Sequence, residues 1–187
     1  PVQGLYFIKQ GSVKVAKTGL HGKEQIVRFS CKGETIGHRG FGTAHIYQIS
    51  AVAVQDATLC NFSSETMHQM FTKVPQLTYD LMTFYAEELN RSETKVKKFA
   101  QMTVREKVID ALLYVNRKFG RTNDVLNLQL SRREISDFAG TTEEQVIRTL
   151  STLKKDRLIE TIGKRIKIKS VELLRKEIAD HNYFIDS

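Results

Sequence analysis

The chain has 187 residues, enough for one domain or two small ones. Apolar residues make up 41% and charged residues 27%, which supports a buried core and excludes a disordered polyelectrolyte. No apolar run approaches the roughly 18–20 residues that span a bilayer, which excludes a helical integral membrane protein.

The start, Pro1-Val2-Gln3-Gly4, lacks the basic stretch, apolar run and cleavage site of a signal peptide. Cys31 and Cys60 show no CxxC spacing and are expected as buried free thiols of a reducing compartment. The expected location is the cytoplasm, with no membrane contact.

Net charge is +8, and its placement is uneven. Between Arg148 and Lys169 eight basic side chains face only Asp156 and Glu160. Such a cluster attracts a polyanion through its long-range field and counterion release, but charge alone does not separate that role from a solvated basic face.

The first third reads as β. Leu5–Ile8 leads to Gly11, Val13-Lys14-Val15 alternates, and residues 23–29 follow a His21-Gly22 turn. Ile49–Val54 and Ala57–Phe62 read as two short strands joined by Gln55-Asp56. Short strands with glycine turns predict a small antiparallel barrel or sandwich. The chain begins almost inside its first strand, so strands upstream are expected to be missing.

After Phe62 the period changes. Ser63-Ser64 caps a short helix through Phe71, and Pro75 opens a long one. Met82, Tyr85, Leu89, Ser92, Val96 and Phe99 fall at alternating steps of three and four, an a/d heptad seam suited to a parallel homodimer. Leu81 and Phe84 begin a second stripe that can pack on the β domain.

Thr103-Val104-Arg105-Glu106 is a capping-box sequence that opens a new helix ending at Gly120. Three regions are therefore expected: a β domain over 1–74, a dimerisation helix over 75–102, and a C-terminal domain over 103–187.

Ser131-Arg132-Arg133-Glu134 is a second capping box. Its helix turns Ile135, Phe138 and Ala139 inward and breaks at Gly140. Thr142-Glu143-Glu144-Gln145 opens another helix with Val146, Leu150 and Leu153 inward. Leu158-Ile159-Glu160, a Gly163-Lys164 turn and alternating Arg165–Lys169 then form a hairpin. Helix, glycine turn, helix and hairpin make a winged helix-turn-helix.

The outer face of the second helix would carry Glu144 and Arg148 one turn apart. Arginine can fork onto guanine O6 and N7 while glutamate accepts from cytosine N4, so this pair is expected to read a G·C base pair. Ser131, Arg132, Thr142, Gln145 and Lys164 are the expected phosphate and flanking contacts.

The whole chain resembles the cyclic-AMP receptor protein / fumarate–nitrate reductase regulator superfamily of bacterial transcription factors. Gly4-Leu5-Tyr6-Phe7-Ile8-Lys9-Gln10-Gly11-Ser12-Val13, the heptad helix, Leu130–Ile135 and Glu144-Gln145-Val146-Ile147-Arg148 carry the resemblance. It implies an α+β fold: an N-terminal antiparallel β-roll sensor of jelly-roll type, a long dimerisation helix and a C-terminal winged helix. It also implies a homodimer on a pseudo-palindromic double-stranded DNA site, contact with RNA polymerase, and base reading at Glu144 and Arg148.

The effector site departs from the best-known member of that family. The family's Gly-Glu and later Arg-Ser are replaced here by Gly37-His38-Arg39 and Tyr47-Gln48, with Ser92 at the helix position facing the base. Without the carboxylate and the arginine, cyclic AMP is not expected in the usual pose. Two cysteines cannot supply the four ligands of an iron–sulfur cluster. Haem ligation by His21, His38, His45 or His68 stays open, with no ligand assigned.

No nucleophile–base pair, metal spacing or phosphate loop points to an enzyme, and the glycines of Gly37-x-x-Gly40-x-Gly42 do not lead into a helix. The alternative to a DNA-binding regulator is a ligand-binding module whose winged helix contacts protein.

Overall fold

The first strand, β1 (Gly4–Thr18), runs unbroken through Gly11 in the computed structural model, which describes residues 1–41 and 46–181. Two strands were expected here because Gly11 interrupts the apolar alternation. The structure resolves the interruption as a bulge. Gly11 has φ of +83°, and a Cβ there would lie 2.0 Å from the Asp56 carbonyl oxygen.

The facing strand, β4 (Ser50–Ser63), is likewise one strand and not two. Gln55 faces Ser12, whose hydroxyl donates to its Oε1 at 2.9 Å, across from the same irregularity. Between them come β2 (Glu24–Cys31) and β3 (Thr35–Ile36). β1 pairs antiparallel with β2, β3 and β4. Ile8, Val13, Val15 and Ile36 form the buried cluster beneath, with Tyr6, Val27, Ile49 and Ala57 against it.

The chain divides into two units, Pro1–Ser92 and Glu93–Ser187. Helix α1 (Ser64–Lys73) starts at Ser63, whose hydroxyl accepts from the Thr66 amide at 3.1 Å. Helix α2 (Pro75–Gln101) contributes residues to both units.

In the second unit, α3 (Val104–Phe119) opens with the expected capping box: the Glu106 amide donates to Thr103 Oγ1, and the Thr103 amide donates to Glu106 Oε2 at 2.7 Å. Gly120 ends it at φ of +72°. Two short strands not anticipated from sequence follow, β5 (Arg121–Thr122) and β6 (Val125–Leu126). They widen the wing: with β7 (Ile159–Ile162) and β8 (Arg165–Ile168) they make a sheet of order β5-β6-β8-β7. At two residues each, their alternation is too short to register as a pattern. Helix α6 (Val171–Glu177), capped by Ser170, was also not anticipated.

The cysteines differ from expectation. Cys60 is exposed and Cys31 half-buried, and neither is in a disulfide. β4 pairs with β1 alone among the described residues, so its side chains, Cys60 included, stay largely open.

Candidate functional site

Helix α4 (Arg132–Ala139) and helix α5 (Glu143–Lys155) form the helix-turn-helix. Gly140 adopts φ of +67° and ψ of +45°, the left-handed cap that ends α4. A second constraint coincides there: a Cβ at Gly140 would lie 3.2 Å from the Phe99 ring. Ser136 is buried and donates to the Arg133 carbonyl, so a small side chain fits at the crossing. Val146, Leu150 and Leu153 anchor α5 in the core.

The opposite face of α5 is open. Arg148 Nη2 lies 2.5 Å from Glu144 Oε1, with side chains 77% and 72% exposed. The two acidic residues inside the basic cluster are both neutralised by cations. Asp156 pairs with Arg105 at 2.8 Å, and Glu160 pairs with Lys169 at 2.7 Å, which holds the Glu160 carboxyl below its usual range.

The expected flanking contacts fall into two groups. Thr142 and Lys164 are exposed at the start of α5 and in the β7–β8 turn. Ser131, Arg132 and Gln145 already have structural work. The Ser131 hydroxyl is held within the α4 capping box. Arg132 is half-buried and donates through Nη2 to the Gly163 carbonyl at 3.0 Å, propping the wing turn, while its buried Nη1 lacks a partner. Gln145 Oε1 accepts from Thr141 Oγ1, so Thr142-x-x-Gln145 is a one-way cap and not a reciprocal box.

The dimer-seam residues also divide. Met82, Leu89 and Val96, seven residues apart, are 60%, 60% and 68% exposed, an apolar row along α2. Tyr85 instead turns inward and donates to the His38 carbonyl, with its ring edge-on to His38. Ser92 donates to the Glu88 carbonyl one turn back, at 2.8 Å. Phe99 packs at Gly140.

At the sensor end the structure assembles a charge centre that sequence reasoning missed. Glu88 of α2 is buried, and its Oε2 lies 3.3 Å from both Arg28 and Arg39. Its Oε1 accepts from Arg91 at 3.1 Å. Burial alone would raise the Glu88 carboxyl, but Arg28, Arg91, His38 and Arg39 together hold it below its ordinary value. The available signal was periodicity: Glu88 lies four residues after Phe84 and four before Ser92, on the inward stripe.

His38, 1% exposed, completes this centre. Burial first, then the Arg28 charge, pushes its pKa down to about 4, so it is neutral near pH 7. Arg28 Nη2 lies 3.4 Å from Nδ1, which assigns the proton to Nε2. That nitrogen is 3.7 Å from Glu88 Oε2, beyond hydrogen-bond reach, and lacks a partner.

Tyr47 fills the neighbouring turn. Its hydroxyl accepts from the Gln3 and Gly4 amides at 3.1 Å and donates to the Gly4 carbonyl at 2.6 Å. A Cβ at Gly40 would meet its ring at 2.7 Å, and one at Gly37 at 3.3 Å. Gln48 is exposed. The donor set therefore does not fit a cyclic nucleotide in the usual pose. His38 is neutral and carries no carboxylate, the Tyr47 hydroxyl is engaged with the backbone of Gln3 and Gly4, and Arg39 is already held by Glu88. Gly42 and His45 lie outside the described residues, and His21 and His68 are exposed.

Comparison with known proteins matches residues 106–177 to the Crp-like helix-turn-helix domain and residues 1–74 to the Cyclic nucleotide-binding domain. The chain belongs to the cyclic-AMP receptor protein / fumarate–nitrate reductase regulator superfamily. This superfamily member is similar to the transcriptional activator protein Anr of Pseudomonas aeruginosa, with 26% identity over 92% of the chain and 72% of the relative. It is 24% identical to the fumarate and nitrate reduction regulatory protein of Escherichia coli K12, over 96% of the chain and 72% of that protein.

Its fold matches FixK2 of Bradyrhizobium japonicum at a TM-score of 0.82 and 24% identity, covering 94% of the chain and 87% of that structure. As a superfamily member it is a dimeric, sequence-specific DNA-binding transcription regulator of bacterial type. No helix among the described residues is long and apolar enough to cross a membrane.

Proposed function

We propose that this regulator reads a G·C base pair in each half of a pseudo-palindromic site, Arg148 donating to guanine and Glu144 accepting from cytosine. The observation that carries this reading is the open Glu144–Arg148 pair on the face of α5 opposite its buried anchors. In the free protein the two side chains satisfy each other, and in a major groove they exchange that contact for base edges. Thr142 and Lys164, both exposed, supply phosphate contacts. Arg132 acts through the wing turn it holds. The Met82–Leu89–Val96 row forms the seam of the homodimer, within a three-part layout of roll 1–74, helix 75–102 and winged domain 103–187.

The effector of the roll is a ligand other than cyclic AMP in the usual pose, a reading supported by the Glu88 centre and the Tyr47 packing. RNA polymerase is the further partner, and the cytoplasm the compartment.

A salt-titrated binding assay of the full chain on a selected operator and on random duplex tests the base-reading assignment. A preference of 10³-fold or more, reduced at one G·C position by Arg148→Ala, supports it, at roughly the low end for specific DNA readers. Weak binding that is indifferent to sequence overturns it in favour of a winged helix used for protein contact.

A further inference from the structure

We infer that Lys95 is a positioning residue for the helix-turn-helix: its ammonium, seated on the Phe138 ring, fixes the end of α4 and so sets operator affinity. The inference rests on DNA binding by the winged domain and not on the base assignment of Glu144 and Arg148.

By spacing, Lys95 falls between Ser92 and Val96 beside the heptad seam, where a lysine is ordinarily a solvated flank. The structure turns it onto aromatic rings instead. Lys95 Nζ lies 4.2 Å from the centroid of the Phe138 ring and 5.4 Å from that of Phe99. Both fall within the roughly 6 Å over which a ring face attracts a cation. Phe138 is buried in the last turn of α4, and Tyr114 of α3 packs against it with centroids 4.8 Å apart. Two residues further on, the Phe99 ring meets Gly140, where the chain turns toward α5. Lys95 and Phe99, one turn apart on α2, therefore reach both the end of α4 and the turn that leads into the recognition helix.

Packing alone does not call for a charge here, because a methionine of similar length would fill the same space without desolvating an ammonium. Burial pulls the Lys95 pKa down to about 8, against the opposing attraction of Asp110 and with the repulsion of Lys98. Those two neighbours are paired with each other at 2.6 Å. Of the other charges nearby, Lys107 of α3 lies 6.0 Å from the Phe99 ring, and Arg133 and Asp137 of α4 face each other at 4.0 Å. Losing the proton from Lys95 removes the attraction between α2 and the Phe138 ring, which corresponds to about a threefold change in an equilibrium. Its effect on stability has the opposite sign. Between about pH 8 and 10.5 the unfolded chain holds this proton more tightly than the fold does, so the contribution of Lys95 to stability rises with pH.

The test uses the full chain, an operator selected by it from a random duplex library, and random duplex as the control. Affinities are measured from pH 6.5 to 9 at fixed ionic strength for wild type, Lys95→Met and Lys95→Arg, with urea midpoints alongside. Wild type should lose about threefold in operator affinity as the pH rises through 8, with its urea midpoint undiminished. Lys95→Met should be about threefold weaker already at pH 7 and lack the step. Lys95→Arg, whose guanidinium stays charged, should keep the pH 7 affinity and also lack the step. Equal operator affinity of wild type and Lys95→Met at pH 7 overturns the inference, as does the same pH step in all three proteins. An equal loss on random duplex overturns it in favour of a simple loss of positive charge. A loss in Lys95→Met matched by a lower urea midpoint overturns it in favour of a purely structural role. If Lys95→Met does not fold, the presence of the step in wild type and its absence in Lys95→Arg decide the matter.

Discussion

Glu88 and Glu144 both sit on helices and both pair with arginine, yet their surroundings give them different roles. Glu88 is buried among Arg28, Arg39 and Arg91 beside a neutral His38. Removing its charge leaves the mostly buried Arg28 without its carboxylate, while Arg39 and Arg91 reach solvent, so the group acts on stability and on how α2 is held within the first unit. Glu144 and Arg148 stand in solvent, where such a pair contributes at most a few tenths of a kcal/mol and separates at little cost. A closed network holds structure, and an open one is available for exchange with a partner. Cation count alone does not separate these cases; burial does.

The sharpest way to break this contrast is Glu88→Leu, which leaves the mostly buried Arg28 without its anion. A loss of about 3 kcal/mol in urea unfolding of the full chain is expected. A change below 1 kcal/mol would show that the centre is as solvent-screened as the Glu144 pair.

Acid should act on the same centre with a defined sign. His38 titrates near 6.5 when unfolded and at about 4 in the fold, so the unfolded chain takes up the proton first. Stability is complete above pH 6.5 and falls as the pH drops toward 4, by up to about 3 kcal/mol. The Glu88 carboxyl, held below its ordinary value, adds a further loss below about pH 4.5. Urea midpoints between pH 4 and 7.5 should trace this decline, and His38→Gln should flatten the part above pH 4.5.

On the open side, Arg148→Ala should reduce discrimination at one G·C pair by about 1–3 kcal/mol, with unfolding stability changed by less than about 0.5 kcal/mol. The smallest effect is expected for Lys164→Ala: similar weakening on all duplexes and a salt slope lower by about 1. Equal losses on operator and random DNA from both changes would remove the division between base and phosphate contacts.

Much of the second unit was legible because its signals are local. Thr103, Ser131 and Thr142 cap helices through bonds three residues away, and Gly140 takes the left-handed conformation its position predicts. The roll was harder to read. Gly11 looked like a strand end because a bulge and a turn break alternation in the same way, and only the Asp56 carbonyl across the ladder distinguishes them. At Gln145 the side-chain oxygen that a reciprocal cap would use accepts instead from the Thr141 hydroxyl, a preference local spacing does not show. Arg132 reads as a free cation in sequence, and its tie to Gly163 comes from a contact 31 positions away.

By itself, the order of residues determined the ends of α3 and α4, the glycine turn between α4 and α5, the exposed Glu144–Arg148 face and the heptad row on α2. Each depends on groups within about one helical turn, where backbone geometry alone sets the neighbours. Tertiary structure decided which seam residues stay open, which phosphate candidates are already engaged, and that Glu88, Arg28, Arg39 and His38 share one buried centre. Those outcomes depend on desolvation and on partners up to 60 positions apart, and neither is encoded in local spacing.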